Sequence, residues 1–193
     1  MIKIGITGGI GAGKSFVARR FSEYGVPVYN CDDEAKRLMT CEPAIVNGLK
    51  NLVSPDVYGQ DGTLNKPLLA DYVFSDSRNR AKVNAVVHPA VFRDFGEWAV
   101  RQGKSVVAVE SAILFESGLA DLVDVSVCVT APLGLRIERV VERDGTDRAK
   151  VEARISSQMA DEERMAKSDF IVTNDGTESV DDQVKKILDR VVK

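Results

Sequence analysis

Apolar positions along the 193 residues change their period several times, and each change marks an element. Residues 2–7, Ile-Lys-Ile-Gly-Ile-Thr, form a short β-rich run. Glycines follow at once, and Val17, Ala18 and Phe21 then recur at helical spacing through Lys14–Tyr24. The order is strand, glycine loop, helix. Gly25 ends that helix, and Val26–Tyr29 reads as a second buried strand that delivers Asp32 and Asp33 at its carboxyl end, where open parallel sheets bind ligands. From 34 to 101 a helical texture is broken by turn signals at Ser54-Pro55, Gln60-Asp61-Gly62 and Lys66-Pro67 and holds no convincing strand, which predicts an inserted subdomain. Ser105–Val109, Val125–Val129 and Phe170–Thr173 resume the strand pattern, with a strongly charged segment, 132–167, between the last two. Val180, Val184, Ile187, Leu188 and Val191 share one face of a terminal helix. The pattern predicts an α/β fold with about five parallel strands, the second expected to neighbour the first because sequential strands commonly do.

Composition narrows the function classes. At 44% hydrophobic and 28% charged residues the chain can build an ordinary globular core, and a formal charge of -3 with a pI near 5.3 argues against nucleic acid as a partner. The three cysteines, Cys31, Cys41 and Cys128, are odd in number and lack C-x-x-C spacing, so they suggest neither a disulfide framework nor a zinc site. No apolar run is long enough to span a bilayer, and the first residues lack a basic lead-in and a cleavage site. No membrane association and a cytoplasmic location are the expectation.

Chemistry enters at Gly8-Gly9-Ile10-Gly11-Ala12-Gly13-Lys14-Ser15, which matches the Walker A pattern G-x-x-x-x-G-K-[ST] at every defined position. Only residues without a Cβ let successive backbone N–H groups turn inward around a phosphate without steric cost. Lys14 would reach the β- and γ-phosphates of ATP, Ser15 would offer its hydroxyl to Mg²⁺, and the helix N-terminus adds its dipole. A kinase also needs a carboxylate near the acceptor hydroxyl, and Asp32 and Asp33 are candidates; the alternative is that they cap the helix that follows.

Arg136, Arg139 and Arg143, after Pro132, fall on one helix face that is too basic for a core. They are either solvated and paired with Glu138, Glu142 and Glu152 or part of a mobile lid, with Arg143 and Arg148 flanking a turn at Asp144-Gly145. His88, the only histidine, is either a packed residue or a ligand.

Ile6-Thr7-Gly8-Gly9-Ile10-Gly11-Ala12-Gly13-Lys14-Ser15 also resembles the T-G-G-I-G-[SA]-G-K-S loop of dephospho-CoA kinases, and the likeness extends over nearly the whole chain. Asn30-Cys31-Asp32 is similar to the family's D-A-D motif, with Asn30 in place of the first aspartate and Asp32 in place of the last. His88-Pro89 matches a His-Pro of the substrate-binding helices, and Leu114-Phe115-Glu116 matches an L-[LF]-[FV]-E run. Glu142-Arg143-Asp144-Gly145 with Arg148, Arg154 and Gln158 resembles the lid, and Asn174-Asp175-Gly176 resembles a closing N-x-G turn. Where the family usually has a proline before the Leu114 run, this chain has Glu110-Ser111-Ala112-Ile113, so Glu110 is either a second carboxylate at the metal or paired with a basic group.

The resemblance implies a P-loop NTPase three-layer fold: a nucleotide-binding core of 1–33, 102–135 and 168–193, a helical substrate-binding insert of 34–101 and a lid of 136–167. It implies phosphorylation of the ribose 3′-hydroxyl of dephospho-CoA by ATP with Mg²⁺, the last step of coenzyme A biosynthesis; a monomer or small homo-oligomer is the expectation. Asp32, Lys14 and Arg143 would then be catalytic. Gly9, Gly11, Ala12, Gly13, Lys14, Ser15, Phe16, Arg143 and Asn174 would hold the nucleotide, Asp32, His88 and Glu116 the acceptor, and Ser15 and Asp32 the metal. Another small-molecule kinase would use the same loop and lid. A nucleotide-switch GTPase would need D-x-x-G after an apolar strand and N-K-x-D; Asp56-Val57-Tyr58-Gly59 sits in a turn-rich context, and Asn65-Lys66-Pro67-Leu68 lacks the aspartate.

Overall fold

The computed structural model describes residues 1–192, which divide into two compact units, residues 1–30 with 99 onward and Cys31–Trp98. Along the chain β1 (Ile2–Thr7), α1 (Lys14–Glu23) and β2 (Val28–Asn30) belong to the first unit. The second holds α2 (Cys31–Cys41), α3 (Pro43–Leu52), α4 (Lys66–Ser75) and α5 (Asn79–Arg101) as far as Trp98. The first unit resumes with β3 (Val106–Glu110), β4 (Val125–Thr130), α6 (Leu133–Asp144), α7 (Arg148–Ser156), α8 (Asp161–Ala166), β5 (Phe170–Thr173) and α9 (Val180–Val191).

The five strands form one parallel sheet in the order β2-β3-β1-β4-β5. The expectation that β2 neighbours β1 is therefore corrected, because β3 lies between them. Burial explains the order: every residue of β3 is buried, as an interior strand of a parallel sheet requires, whereas β2 is three residues long, half-buried and suited to an edge. β2 also begins two residues later than the apolar run suggested. Pro27 has no N–H to give a ladder, and Val26 donates back to the Phe21 carbonyl at 3.1 Å as part of the turn after α1.

Ile4, Ile6, Val127, Val129 and Val172 of the sheet pack with Val17 and Phe21 of α1 and Val184 and Ile187 of α9 into the main core. Gly5 has Leu114 beside it so closely that a Cβ there would sit 2.8 Å from a Leu114 methyl, so the missing side chain makes room for the leucine. Ile137, Val140 and Val151 join α6 and α7 in a smaller core.

Within the second unit α3 and α5 meet at Gly48, which abuts Val86, and the Tyr58 hydroxyl donates to the Met39 carbonyl at 2.6 Å. Both switch-like tetrads prove structural. Asp56-Val57-Tyr58-Gly59 lies at a 3-10 turn (Pro55–Val57) and an isolated antiparallel bridge, and Asn65 caps α4 through its side chain. No helix among the described residues is long and apolar enough to cross a membrane.

Candidate active site

β1 ends at Thr7, α1 begins at Lys14, and residues 8–13 wrap between them at the carboxyl end of the sheet. Gly13 has φ +93°, a left-handed conformation, and a Cβ there would collide with the Asn174 amide. A Cβ on Gly9 would collide with the Arg136 guanidinium. At both glycines the missing Cβ leaves room for the end of a neighbouring side chain to lie against the loop. A pocket of about 240 Å³ opens beside the loop, lined by Gly11, Gly13, Lys14, Ser15, Arg139 and Arg143 among others.

The loop is bound from outside by elements far away in sequence. Ile10 donates its N–H to Gln158 Oε1 at 2.9 Å and accepts from Arg136 Nε at 2.9 Å, and the Ala12 carbonyl accepts from Asn174 Nδ2 at 2.9 Å. Ala12 itself is buried, and Phe16, 38% exposed, has the Arg20 guanidinium 4.8 Å above its ring.

Glu110, at the end of β3, lies in register with Ile6 on one side and Asn30 on the other. It is 8% exposed and accepts from the Ser15 hydroxyl at 2.7 Å. Of its two readings, pairing with a basic group is not what the described residues provide. The structure instead sets a carboxylate against the hydroxyl that the loop pattern gives to a metal. The pair fits Mg²⁺, which takes hard oxygen donors and needs only one or two protein groups beside phosphate oxygens. No group of three or more His, Cys, Asp or Glu that could hold a metal occurs among the described residues.

The expectation for Arg136 is corrected. It is 1% exposed, lies between the loop and α8, and forms a salt bridge with Asp161; Arg164, 0% exposed, donates to the same carboxylate at 2.8 Å and to the Met159 carbonyl at 2.8 Å. Two guanidiniums around one carboxylate leave a net positive charge behind the loop, which favours an anion in front of it. Asp161 and Arg164 were not legible as site residues: one charge in a charged segment does not say which others it will meet. Arg139 lies on the pocket side of α6, and its Nη1 is buried without a hydrogen-bond partner among the described residues. Arg143 lines the same pocket while bonding Asp144 through Nε at 2.7 Å and Nη2 at 3.1 Å, and these bonds hold the Asp144 carboxyl below its ordinary range. Arg148 pairs with Glu152.

Asp32 lies in the first turn of α2 with Asp33 and Glu34, inside the helix rather than at its cap, because the helix already begins at Cys31. Carboxylates there favour the helix dipole, and Asp33 also pairs with Lys36. His88 is half-buried in α5, stacked on Phe92 with centroids 5.7 Å apart, and burial lowers its pKa. Glu116 is exposed just after the buried Leu114. The first unit thus brings together Gly9, Gly11, Ala12, Gly13, Lys14, Ser15, Phe16, Arg143 and Asn174; Glu116 belongs to it as well, and Asp32 and His88 belong to the second.

A protein-family model described as dephospho-CoA kinase matches residues 2–180. A dephospho-CoA kinase of Bacteroides fragilis (strain YCH46) is 44% identical over 188 residues, which are 97% of this chain and 91% of that protein. A crystal structure from Thermus thermophilus superposes with a TM-score of 0.87 and 34% identity, covering 100% of this chain and 98% of that one. A dephospho-CoA kinase from Campylobacter jejuni, 21% identical with a TM-score of 0.70 over 98% of this chain and 96% of that one, shares the fold. Matched over nearly its whole length, and built around a glycine loop with Lys14, Ser15 and a buried carboxylate, the chain belongs to the dephospho-CoA kinase family.

Proposed function

We propose that this protein transfers the γ-phosphoryl group of ATP to the ribose 3′-hydroxyl of dephospho-CoA, giving CoA and ADP. The observation that carries the reading is the phosphate loop with Ser15 against Glu110, in a chain of this family. The acceptor oxygen forms a bond to the γ-phosphorus, the bond from that phosphorus to the β–γ bridging oxygen breaks, and the 3′-hydroxyl proton passes to Asp32. Lys14 and the amides of residues 9–15 hold the phosphate chain, and Arg143, joined by Arg139 with its unspent buried donor, answers the charge on the transferring oxygens. Ser15, with Glu110 and Asp32, would hold Mg²⁺, which supplies charge neutralisation on the phosphates when bound. His88 and Glu116 would contribute to the acceptor site, and the 34–101 insert would frame it. In support, a cavity of about 910 Å³ between α2, the 61–66 turn and α4 combines an apolar floor, including Leu69, Val73 and Phe74, with Lys36, Arg37 and Lys66, a mixture suited to a ligand with an apolar arm and anionic groups. The 136–167 segment would act as the lid. We read the protein as cytoplasmic, working as a monomer or small homo-oligomer.

The test is ADP release from Mg·ATP with purified protein, comparing dephospho-CoA, AMP and no acceptor, with product mass as confirmation. Turnover with dephospho-CoA alone, adding one phosphate, is expected. Turnover with AMP, or with neither acceptor, would overturn the assignment of the acceptor while leaving the nucleotide site.

A further inference from the structure

Three carbonyls of the glycine loop are pinned. The Gly9 carbonyl accepts from the Ala12 N–H at 3.1 Å, the Ile10 carbonyl from Arg136 Nε at 2.9 Å, and the Ala12 carbonyl from Asn174 Nδ2 at 2.9 Å. The peptide bonds described are all trans. In a planar trans peptide the carbonyl of one residue and the N–H of the next point in opposite directions. Holding the Ile10 carbonyl on Arg136 therefore turns the Gly11 N–H away from Arg136, and holding the Ala12 carbonyl on Asn174 turns the Gly13 N–H away from Asn174. Gly11 and Gly13 both line the pocket that Lys14 and Ser15 line.

Such pinning matters because glycine crosses between backbone wells at little energetic cost, so a glycine-flanked peptide can rotate and offer its carbonyl where an amide is needed. A carbonyl oxygen facing a phosphate would repel it. The two anchors are themselves held. Asn174 donates its backbone N–H to Thr130 at 2.8 Å, extending the β4–β5 ladder, and Arg136 is gripped by Asp161, which Arg164 holds from its other side.

We propose that Arg136 and Asn174 are positioning residues that aim the Gly11 and Gly13 amides at the nucleotide phosphates, with Asp161 and Arg164 fixing Arg136. The proposal rests on the nucleotide reading of the loop and not on the identity of the acceptor. It also makes the base of the charged 132–167 segment part of the phosphate site, since Gln158 and Arg136 grip Ile10 on both its polar atoms.

Two variants separate aiming from mere packing. Asn174→Asp keeps the shape of a half-buried side chain but sets a carboxylate oxygen against the Ala12 carbonyl. Arg136→Lys keeps the charge facing Asp161 and gives up the Nε donor to Ile10. Calorimetric titration with Mg·ADP should show affinity reduced by about tenfold in each, the loss of roughly one charge-assisted hydrogen bond, with Asn174→Asp melting within a few degrees of the parent protein. In ¹⁵N spectra, ADP should move the Gly13 amide less in Asn174→Asp and the Gly11 amide less in Arg136→Lys, each leaving the other glycine as in the parent. Unchanged ADP affinity in Asn174→Asp, or both glycine amides responding alike in both variants, would overturn the proposal. If the parent protein itself does not bind ADP, the nucleotide reading falls and takes the proposal with it, whereas a failure of the acceptor assignment touches neither titration.

Discussion

Glu110 ends a strand that is otherwise Val-Val-Ala-Val, so its carboxyl group is carried into a buried setting where a polar partner is required. The Ser15 hydroxyl meets that need at 2.7 Å. Glu110→Gln keeps an acceptor for Ser15 but cannot carry negative charge; the Mg²⁺ concentration for half-maximal turnover should rise about tenfold or more, as it does when groups around a metal ligand are lost. A Mg²⁺ titration of ADP release reads this, and an unchanged midpoint would remove Glu110 from the metal site. Cysteine chemistry gives a second prediction. Cys31 and Cys128 are buried and Cys41 is exposed, and burial pushes the Cys128 thiol above its ordinary range. A chromogenic disulfide reagent should therefore consume one thiol per native chain, at Cys41, and all three after denaturation. Rapid loss of two or three thiols from the native protein would contradict the burial. The loop residues were legible in the sequence because glycine spacing is a local requirement. The partner of Asn174 was not, because Ala12 lies 162 positions away and nothing at either residue names the other.

Strands were legible where valine and isoleucine crowd together, since a strand covered on both faces has no polar side to show. The helix of α6 was legible, but the exposure of its arginine face was misread for the opposite reason. Arginine spacing marks a helix face without saying what covers it, and Arg136 on that face is sealed by α8 while Arg139 and Arg143 line a pocket. α5 carries a pH-dependent element of stability. His88 is half-buried within it beside Pro89, whose ring removes the N–H that would otherwise bond the Ala85 carbonyl. Burial disfavours the charged imidazole, so the folded-state pKa lies below the ordinary value near 6.5, and below that value the unfolded chain binds a proton that the folded one refuses. The stability that this histidine permits is present above about pH 6.5 and is lost as the pH falls toward its folded pKa. Urea midpoints at about pH 7.5 and 5.5 should fall further for the parent protein than for His88→Gln. Equal falls would assign the acid sensitivity to other groups.

At the scale of the molecule, the long helical stretch between two strands was readable, but strand order was not. Local pattern reveals that a strand exists, whereas its place depends on which strands are sealed on both edges, and that is decided only when β3 arrives to separate β1 from β2. This late arrival has a kinetic meaning. The ladder partners of β1 are Val106 to Glu110 and Val125 to Cys128, all of which follow the whole of Cys31–Trp98. A nascent chain emerging N-terminus first holds a hydrophobic, unpaired β1 throughout synthesis of that segment, whose helices make local contacts and can gather on their own. Non-local pairing closes slowly, so helix should return before sheet on refolding. In pulse-labelling hydrogen exchange, the amides of Ile4 and Ile6 should gain protection after those of α3 and α5, and simultaneous protection would argue that the chain folds as one unit. Until β3 is made, the strand that ends in the phosphate loop carries unpaired edges of the kind that invite aggregation.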